Sequence, residues 1–234
     1  MRKQLLIVVA LLSIFRAAPA HAQEVNLSKV NLHIGGGIGV PTGRTADFAG
    51  ISGAFQIGAG PNLTAHNSLV GEFMWQGLPP TSSALATIVN PLVAGNITTA
   101  ANIAQNFGTS SNLYAVTANY MYHREGHLYG FYVIGGGGWY YRHVELQNYT
   151  VAPGTVCQPV WDWWGYSCQA GFVTTSNVLA TKGQSSGGGD AGGGITFKLS
   201  SSGFRLYMEA RYHYSPQGGR VPTHIVPVMF GIRW

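Results

Sequence analysis

The chain has 234 residues, of which 9% are charged and 12% aromatic, and 33 are glycine. Soluble globular domains carry about 25% charged residues, so this composition argues against an ordinary soluble surface. The formal net charge of +5 falls to +2 once the three basic residues of the N-terminal segment (Arg2, Lys3 and Arg16) are set aside. A net positive charge this small gives no reason to expect nucleic acid as a partner.

The N-terminal segment has the order of a secretory signal peptide. Two basic residues precede an apolar run over residues 5–15, and Ala20-His-Ala22 supplies small residues for cleavage. The run is shorter than the roughly 20 apolar residues that a membrane-spanning helix needs. We therefore expect residues 1–22 to be a signal peptide and residues 23–234 to form one barrel domain.

Eight later segments alternate apolar and polar side chains with a period of two, which is the periodicity of β-strands. In chain order the predicted strands are residues 30–40, 51–59, 68–77, 112–123, 128–144, 190–199, 204–214 and 223–234. The seventh alternates most clearly, with apolar Leu206 and Met208 opposite charged Arg205 and Glu209. An even number of strands is required of single-chain bacterial membrane barrels.

The last predicted strand carries a continuous apolar series on one face, and that series includes Phe230, Ile232 and Trp234. Loose chain ends are usually polar, so an apolar strand ending on an aromatic residue suggests a sheet closed against lipid. Closure requires this strand to pair with the first strand, residues 30–40.

The predicted connections alternate in length along the chain. The short ones are residues 60–67, 124–127 and 200–203, and the longer ones are residues 41–50, 78–111, 145–189 and 216–222. Two of the latter far exceed the roughly 12–15 residues usual for loops of compact domains. Short turns at one end and long loops at the other are typical of outer-membrane barrels.

This layout resembles the small eight-stranded outer-membrane barrels of the OmpA, OmpX and OmpW type. The motifs that carry the resemblance are VNLHIGGGIG at residues 30–39, YMEARYHY at 207–214 and PVMFGIRW at 227–234. It implies an all-β fold: an eight-stranded antiparallel transmembrane β-barrel with short periplasmic turns and long extracellular loops, in contact with the lipid of the bacterial outer membrane.

The same resemblance implies a partner for the last strand. In that family the barrel-assembly machinery reads a terminal strand that ends in an aromatic residue. Carried over to this chain, the role falls to Phe230, Ile232 and Trp234.

The lumen of an eight-stranded barrel has room only for its own side chains, and the alternation predicts a polar lumen. The side chains expected there are Glu72, Lys198, Arg205, Glu209, Arg211 and Arg233, with Gln56 and His213. Buried charges must be paired or hydrogen-bonded. Two hypotheses stay open: a structural network that plugs the barrel, and a gated ion path along the same residues.

Two short motifs invite a chemical interpretation that the rest of the chain does not support. His213-Tyr-Ser215 resembles the His-x-Ser pair of outer-membrane lipid A deacylases, but the following residues depart from that pattern and the last strand has no carboxylate. His123-Arg-Glu-Gly-His127 falls on a tight turn, where a helical zinc motif would not form. We expect no catalytic residue, metal or cofactor.

Cys157 and Cys168 lie 11 positions apart in the long segment 145–189. In an exported protein this pair favours a disulfide over a zinc site, which would need two further ligands. The ring that the disulfide would close contains Trp161, Trp163, Trp164 and Tyr166. These aromatic residues could anchor an extracellular partner, or pack locally or against the membrane interface.

The sequence as a whole favours a non-enzymatic outer-membrane barrel with a structural or surface-interaction role. The alternatives are a narrow channel or conduit for small hydrophobic molecules, a lipid A deacylase-like hydrolase, and a soluble barrel of the lipocalin type. The polar faces of the strands argue against the last, because they carry few ions for a soluble exterior.

Overall fold

The computed structural model describes residues 30–89, 107–160, 165–199, 203–217 and 221–234. The predicted signal peptide lies outside the described residues. The strands are β1 (Val30–Pro41), β2 (Ser52–Pro61), β3 (Asn67–Gly77), β4 (Phe107–Glu125), β5 (Tyr129–Val160), β6 (Gly165–Lys198), β7 (Arg205–Ser215) and β8 (Thr223–Arg233).

Each strand pairs antiparallel with the next, and β8 pairs with β1, so the eight strands form a closed barrel. Leu32 and Trp234 complete the seam by exchanging backbone hydrogen bonds of 2.8 and 2.9 Å. Pairing of the last strand with the first is therefore confirmed. Closure leaves the barrel wall, below the extension of β5 and β6, without a free edge, as a β-structure within lipid requires.

The barrel has the polarity of a protein surrounded by lipid. Large apolar side chains that point outward and are exposed include Ile34, Phe55, Leu69, Phe73, Val116, Val133, Ile195, Leu206, Met208, Phe230 and Ile232. Polar side chains that point inward and are buried include His33, Gln56, Glu72, Asn119, Asp190, Glu209, Arg211 and His213. This is the reverse of a lipocalin-type barrel, and it identifies an eight-stranded transmembrane barrel.

Aromatic side chains mark both ends of the apolar outer surface. Trp139 and Tyr141 stack near the long-loop end, with ring centroids 5.6 Å apart. Phe204 and Trp234 pack together at the short-turn end, with centroids 5.5 Å apart. Aromatic girdles of this kind lie at the two interfaces between membrane and water.

The prediction that residues 145–189 form a loop is wrong, because β5 and β6 continue as paired strands through most of this segment. Within the described ranges, pairing of β5 with β4 extends to Asn148, and pairing of β6 with β7 extends to Gly189. Residues 149–160 and 165–176 thus form a two-stranded extension, which we call the ribbon. Its Thr and Val residues favour strands, whereas its glycines and prolines suggested a loop.

A β-bulge lies at the base of the ribbon. Leu146 is opposite Ala180 and Gln147 is opposite Val178, so Leu179 is an extra residue in β6. Because side chains alternate along a strand, one extra residue reverses the faces of β6 relative to β5. The even-numbered residues of β6 point into the barrel below the bulge and to the outer face of β5 above it.

The other long connection, residues 78–111, is also partly structured. It contains helix α1 (Ser82–Val89), which the sequence did not suggest, and β4 begins at Phe107 instead of the predicted residue 112. A 3-10 turn (Gly43–Thr45) follows β1 at the same end of the barrel. None of the described helices has the length and apolar character needed to cross a membrane.

Candidate functional site

Arg211 of β7 occupies the centre of the lumen, where its side chain is only 1% exposed. Its Nη1 donates to Glu72 Oε1 at 2.7 Å and its Nη2 donates to Glu72 Oε2 at 3.0 Å. Nη2 also donates to Glu209 Oε1 at 2.5 Å. The planar guanidinium suits this bidentate geometry, which gives the stronger class of charge-assisted hydrogen bond. Three of the predicted lumen residues therefore form one ion-pair cluster.

Side chains from three other strands also hold the two carboxylates. His33 Nε2 lies 2.9 Å from Glu72 Oε2, and the Tyr132 hydroxyl donates to Glu209 Oε2 at 2.8 Å. Gln56 Nε2 donates to Glu209 Oε1 at 3.1 Å. Because these groups come from β1, β5 and β2, the cluster joins strands on opposite sides of the lumen.

A third carboxylate, Asp190 of β6, lies beside the same guanidinium. Its Oδ1 is 3.8 Å from Arg211 Nη1, and its Oδ2 is 3.9 Å from His213 Nδ1. The Tyr140 hydroxyl and His213 Nδ1 are 3.0 Å apart. The network therefore extends from the cluster toward the long-loop end of the barrel.

The remaining predicted lumen residues lie at the short-turn end. Arg205 and Arg233 are buried there, and Arg205 Nε forms an ion pair with Glu125 Oε2 at 2.8 Å. Lys198 points toward the lumen side by alternation, but the prediction that it belongs to the lumen network is wrong. Its side chain is exposed because β6 ends at this residue.

Several members of the network were absent from the predicted set, although alternation places them on the inner face. Asp190 shares that face of β6 with Thr196, and His33 shares that face of β1 with Gly35. Gly35 has a direct role, because a Cβ atom there would collide with the Tyr207 hydroxyl. The glycines of β1 were thus a signal for bulky side chains from the facing strands.

The His213-x-Ser215 pair does not form a nucleophile and base. Ser215 Oγ lies 2.5 Å from Ser186 Oγ and accepts a hydrogen bond from Gln217 Nε2 at 3.2 Å. Within the described part of the chain, His213 and Ser215 share no hydrogen bond. A serine nucleophile needs a base within hydrogen-bonding reach, and the described hydrogen bonds of the Ser215 hydroxyl are with Ser186, Gly187 and Gln217.

A cavity of about 440 Å³ opens at the long-loop mouth, above the network. Its walls are mainly apolar and include Phe48, Leu78 and Ala84, with Arg142 and Lys182 among the lining residues. Arg142 Nη1 is 3.5 Å from both the Val221 carbonyl oxygen and Thr223 Oγ1. The lumen is therefore occupied by side chains at its centre and opens into a cavity at this mouth.

Cys157 and Cys168 face each other across the ribbon and are bonded, as predicted. The loop aromatics Trp161, Trp163 and Trp164 lie outside the described residues, and Tyr166 pairs with Pro159 in the ladder. The described apolar side chains on the outer face of the ribbon and its base are strongly exposed: Val151 by 67%, Phe172 by 74% and Val178 by 55%.

The predicted assembly residues lie on the outer surface of β8 and just beyond its end. Phe230 is 55% exposed and Ile232 39% exposed, whereas Trp234 packs against Phe204. The positions are thus open to lipid or to another protein. Recognition by the assembly machinery stays a prediction.

No family model matches this sequence, and no curated protein matches it. Solved structures with a similar arrangement include Ail, the attachment invasion locus protein of Yersinia pestis (13% identity, covering 88% of this chain and 98% of that chain, TM-score 0.44). Neisserial surface protein A (10% identity, 87% and 95%, TM-score 0.45) and the N-terminal β-barrel of Pseudomonas aeruginosa OprF (10% identity, 88% and 98%, TM-score 0.41) are others. On its own strand order and polarity, this chain is a small eight-stranded β-barrel of the outer-membrane type.

Proposed function

We propose that this protein is a non-enzymatic outer-membrane barrel whose ribbon makes an interaction outside the cell. The observation that carries the proposal is the exposed apolar face at the ribbon and its base, formed by Val151, Phe172 and Val178. Val151 and Phe172 lie at neighbouring positions of the ladder, opposite Thr174 and Pro153, and form one exposed apolar patch. Such a patch on a folded protein marks a site of interaction. The ribbon follows the long-loop end, which faces the cell exterior in barrels of this type.

The ribbon is ordered before any partner arrives. A continuous ladder of backbone pairs joins its strands, and the Cys157–Cys168 bond fixes the pairing near the tip. Preorganisation lowers the entropy that binding would otherwise cost. Among the described residues, no strand pairs with the outer edges of the ribbon, because the pairing with β4 and with β7 stops below it. Such edges can accept an added strand.

The absence of enzymatic activity is part of this proposal. The lumen carboxylates are engaged by Arg211, His33 and Tyr132, which suits a structural network. The serine and histidine of the deacylase-like pair have separate partners. Unchanged lipid A in cells that overproduce the protein is the expected result, and altered acylation would contradict it.

The main experiment shortens the ribbon without disturbing the barrel. Residues 150–175 are replaced by Asn-Gly, a two-residue turn that closes a hairpin on the Tyr149–Ser176 pair. The full-length and shortened proteins are produced in the outer membrane of a bacterial strain that lacks adhesins. Attachment of the cells to cultured host cells and to one another is then measured, and heat-dependent gel mobility reports the folded barrel.

We expect the full-length protein to promote attachment and the shortened one to lose it while remaining folded. The double substitution V151T/F172T should also lose most of the attachment, whereas V173T, on the opposite face of the ribbon, should retain it. Attachment that survives ribbon removal, or no attachment by the full-length protein to either surface, would refute the proposal.

A second candidate function is a narrow conduit for small hydrophobic molecules, which the apolar cavity at the long-loop mouth favours. Filling this cavity with the substitution A84W should then slow uptake of a hydrophobic tracer by cells that carry the protein. Equal uptake by the wild-type protein, A84W and cells without the protein would exclude the conduit.

A further inference from the structure

The short-turn mouth of the barrel contains a second cavity, of about 490 Å³. Arg205, Arg233, His123 and Glu125 line it, with Trp234 at its edge. It lies at the opposite end from the ribbon, on the periplasmic side by the orientation of such barrels. The surface interaction proposed above makes no use of it.

Two arginines lie side by side on neighbouring strands at this mouth. Arg205 of β7 and Arg233 of β8 are cross-strand partners in the ladder. Both are more than nine-tenths buried, with 9% and 3% of their surface exposed. Like charges directly opposite one another on neighbouring strands repel. This arrangement is unfavourable unless negative charge lies between them or close by.

The hydrogen-bonding capacity of the two guanidinium groups is only partly used. Arg205 donates through Nε to Glu125 and through Nη2 to the Gly126 carbonyl oxygen at 3.1 Å. Its Nη1 is buried without a partner, and so are Nε and Nη2 of Arg233. Leaving charged donors buried and unsatisfied is costly. Three guanidinium nitrogens thus remain for an acceptor that the described residues do not supply.

Arg233 is held in place by aromatic rings. Its guanidinium carbon lies 3.9 Å from the centroid of the Tyr132 ring and 5.3 Å from that of Tyr207. Stacking on a ring positions a guanidinium and leaves its in-plane N–H groups free. Within the described part of the chain, Arg233 makes no ion pair, whereas Arg211 directs both terminal nitrogens at carboxylates.

The charge at this mouth favours an anion. The ionisable side chains that line the cavity are the two arginines, one carboxylate (Glu125) and one imidazole (His123). The carboxylate is already 2.8 Å from Arg205 and is 38% exposed. The positive charge of Arg233 therefore has no counterpart among these residues.

We propose that the short-turn mouth binds an oxyanion, a phosphate or carboxylate group, between Arg205 and Arg233. Planar guanidinium groups present paired donors that match the oxygens of such groups. The phosphate group is available on the periplasmic side from two sources: a small free phosphate ester and the headgroup of a phospholipid in the adjoining leaflet.

The test uses the whole barrel in a nonionic maltoside detergent. Inorganic phosphate is titrated in, binding is measured by calorimetry, and the Nε–H resonances of the arginines are followed by NMR. We expect saturable binding that shifts the Arg233 resonance. The substitutions R205Q and R233Q should each weaken binding about tenfold or more, the effect of losing a charge-assisted hydrogen bond.

Two further variants keep the proposal falsifiable if an arginine variant fails to fold. K198Q removes a cation from an exposed position at the same end of the barrel, opposite Arg205 in the ladder, and should change the affinity less than twofold. E125Q removes the competing carboxylate and should tighten binding. No saturable binding to the wild-type barrel, an equal loss in K198Q, or unchanged affinity in E125Q would overturn the proposal.

The two sources are separated by a second titration. Glycerol phosphate is compared with a short-chain phosphatidylglycerol below its micelle concentration. Similar affinities that both depend on Arg233 assign the site to free phosphate esters, and tighter binding of the lipid assigns it to a headgroup. Binding of either probe that is insensitive to R233Q would contradict a site at these residues.

Discussion

Replacing Arg211 by Met should destabilise the barrel by about 3–5 kcal/mol, the usual cost of removing one partner from a buried ion pair. The substitution deletes three charge-assisted hydrogen bonds to Glu72 and Glu209, each contributing about 1.5–3 kcal/mol. The total loss should be smaller than their sum, because His33, Gln56 and Tyr132 continue to bond the carboxylates.

The free energy of unfolding can be measured by urea titration of the barrel in phospholipid vesicles, with tryptophan fluorescence and heat-dependent gel mobility as independent probes. K198M is the matched control, since it removes an exposed cation, and should change stability by less than about 0.5 kcal/mol. Adding E72Q and E209Q to R211M should recover part of the loss, because the two carboxylates that lost their charge-assisted hydrogen bonds are then neutral amides. A loss below about 1 kcal/mol in R211M, or an equal loss in K198M, would refute the reasoning.

Three other predictions follow from the same structure. G37A should cost about 1–3 kcal/mol, because its Cβ would meet the backbone of β8, whereas G53A meets nothing within 4 Å and should be near neutral in the same urea titration. Removing the disulfide with C157S/C168S should speed hydrogen exchange in the ribbon and leave barrel unfolding unchanged; a lower barrel midpoint would contradict this. F230A should reduce the amount assembled in cells but not refolding into vesicles, and equal cellular yields would argue against an assembly signal.

Alternation along the chain was sufficient to predict the barrel. Where one face of a strand contacts lipid and the other a polar lumen, the alternation of apolar and polar residues is enough to tell which side chains point inward, as in β7. Closure also followed, because an apolar last strand has only the first strand as a remaining partner. The strands of such a barrel, and the face on which each side chain lies, can therefore be predicted from local sequence.

The partners within the lumen could not be predicted in the same way. Parity indicates that Glu72 and Arg211 both point inward, but their contact depends on how far the strands are staggered around the barrel. Alternation also does not indicate where a strand ends, which is why Lys198 was wrongly assigned to the lumen network. The ribbon was missed for a related reason, since residues such as Pro153 and Gly154 suggest a loop until their partners on the other strand are known.

The single extra residue at Leu179 has a consequence for protein engineering. Even-numbered residues of β6 point toward the lumen on the barrel side of the bulge and toward the exterior on the ribbon side. A peptide grafted into the ribbon would therefore display the intended side chains only if its inward and outward positions are assigned from the pairing beyond Leu179, and not by extending the alternation of the barrel part of β6. Deleting that residue should remove the bulge and leave Leu146 opposite Ala180 and Gln147 opposite Val178. Phe172 should then stay opposite Pro153 on the outer face, and β6 should alternate without interruption.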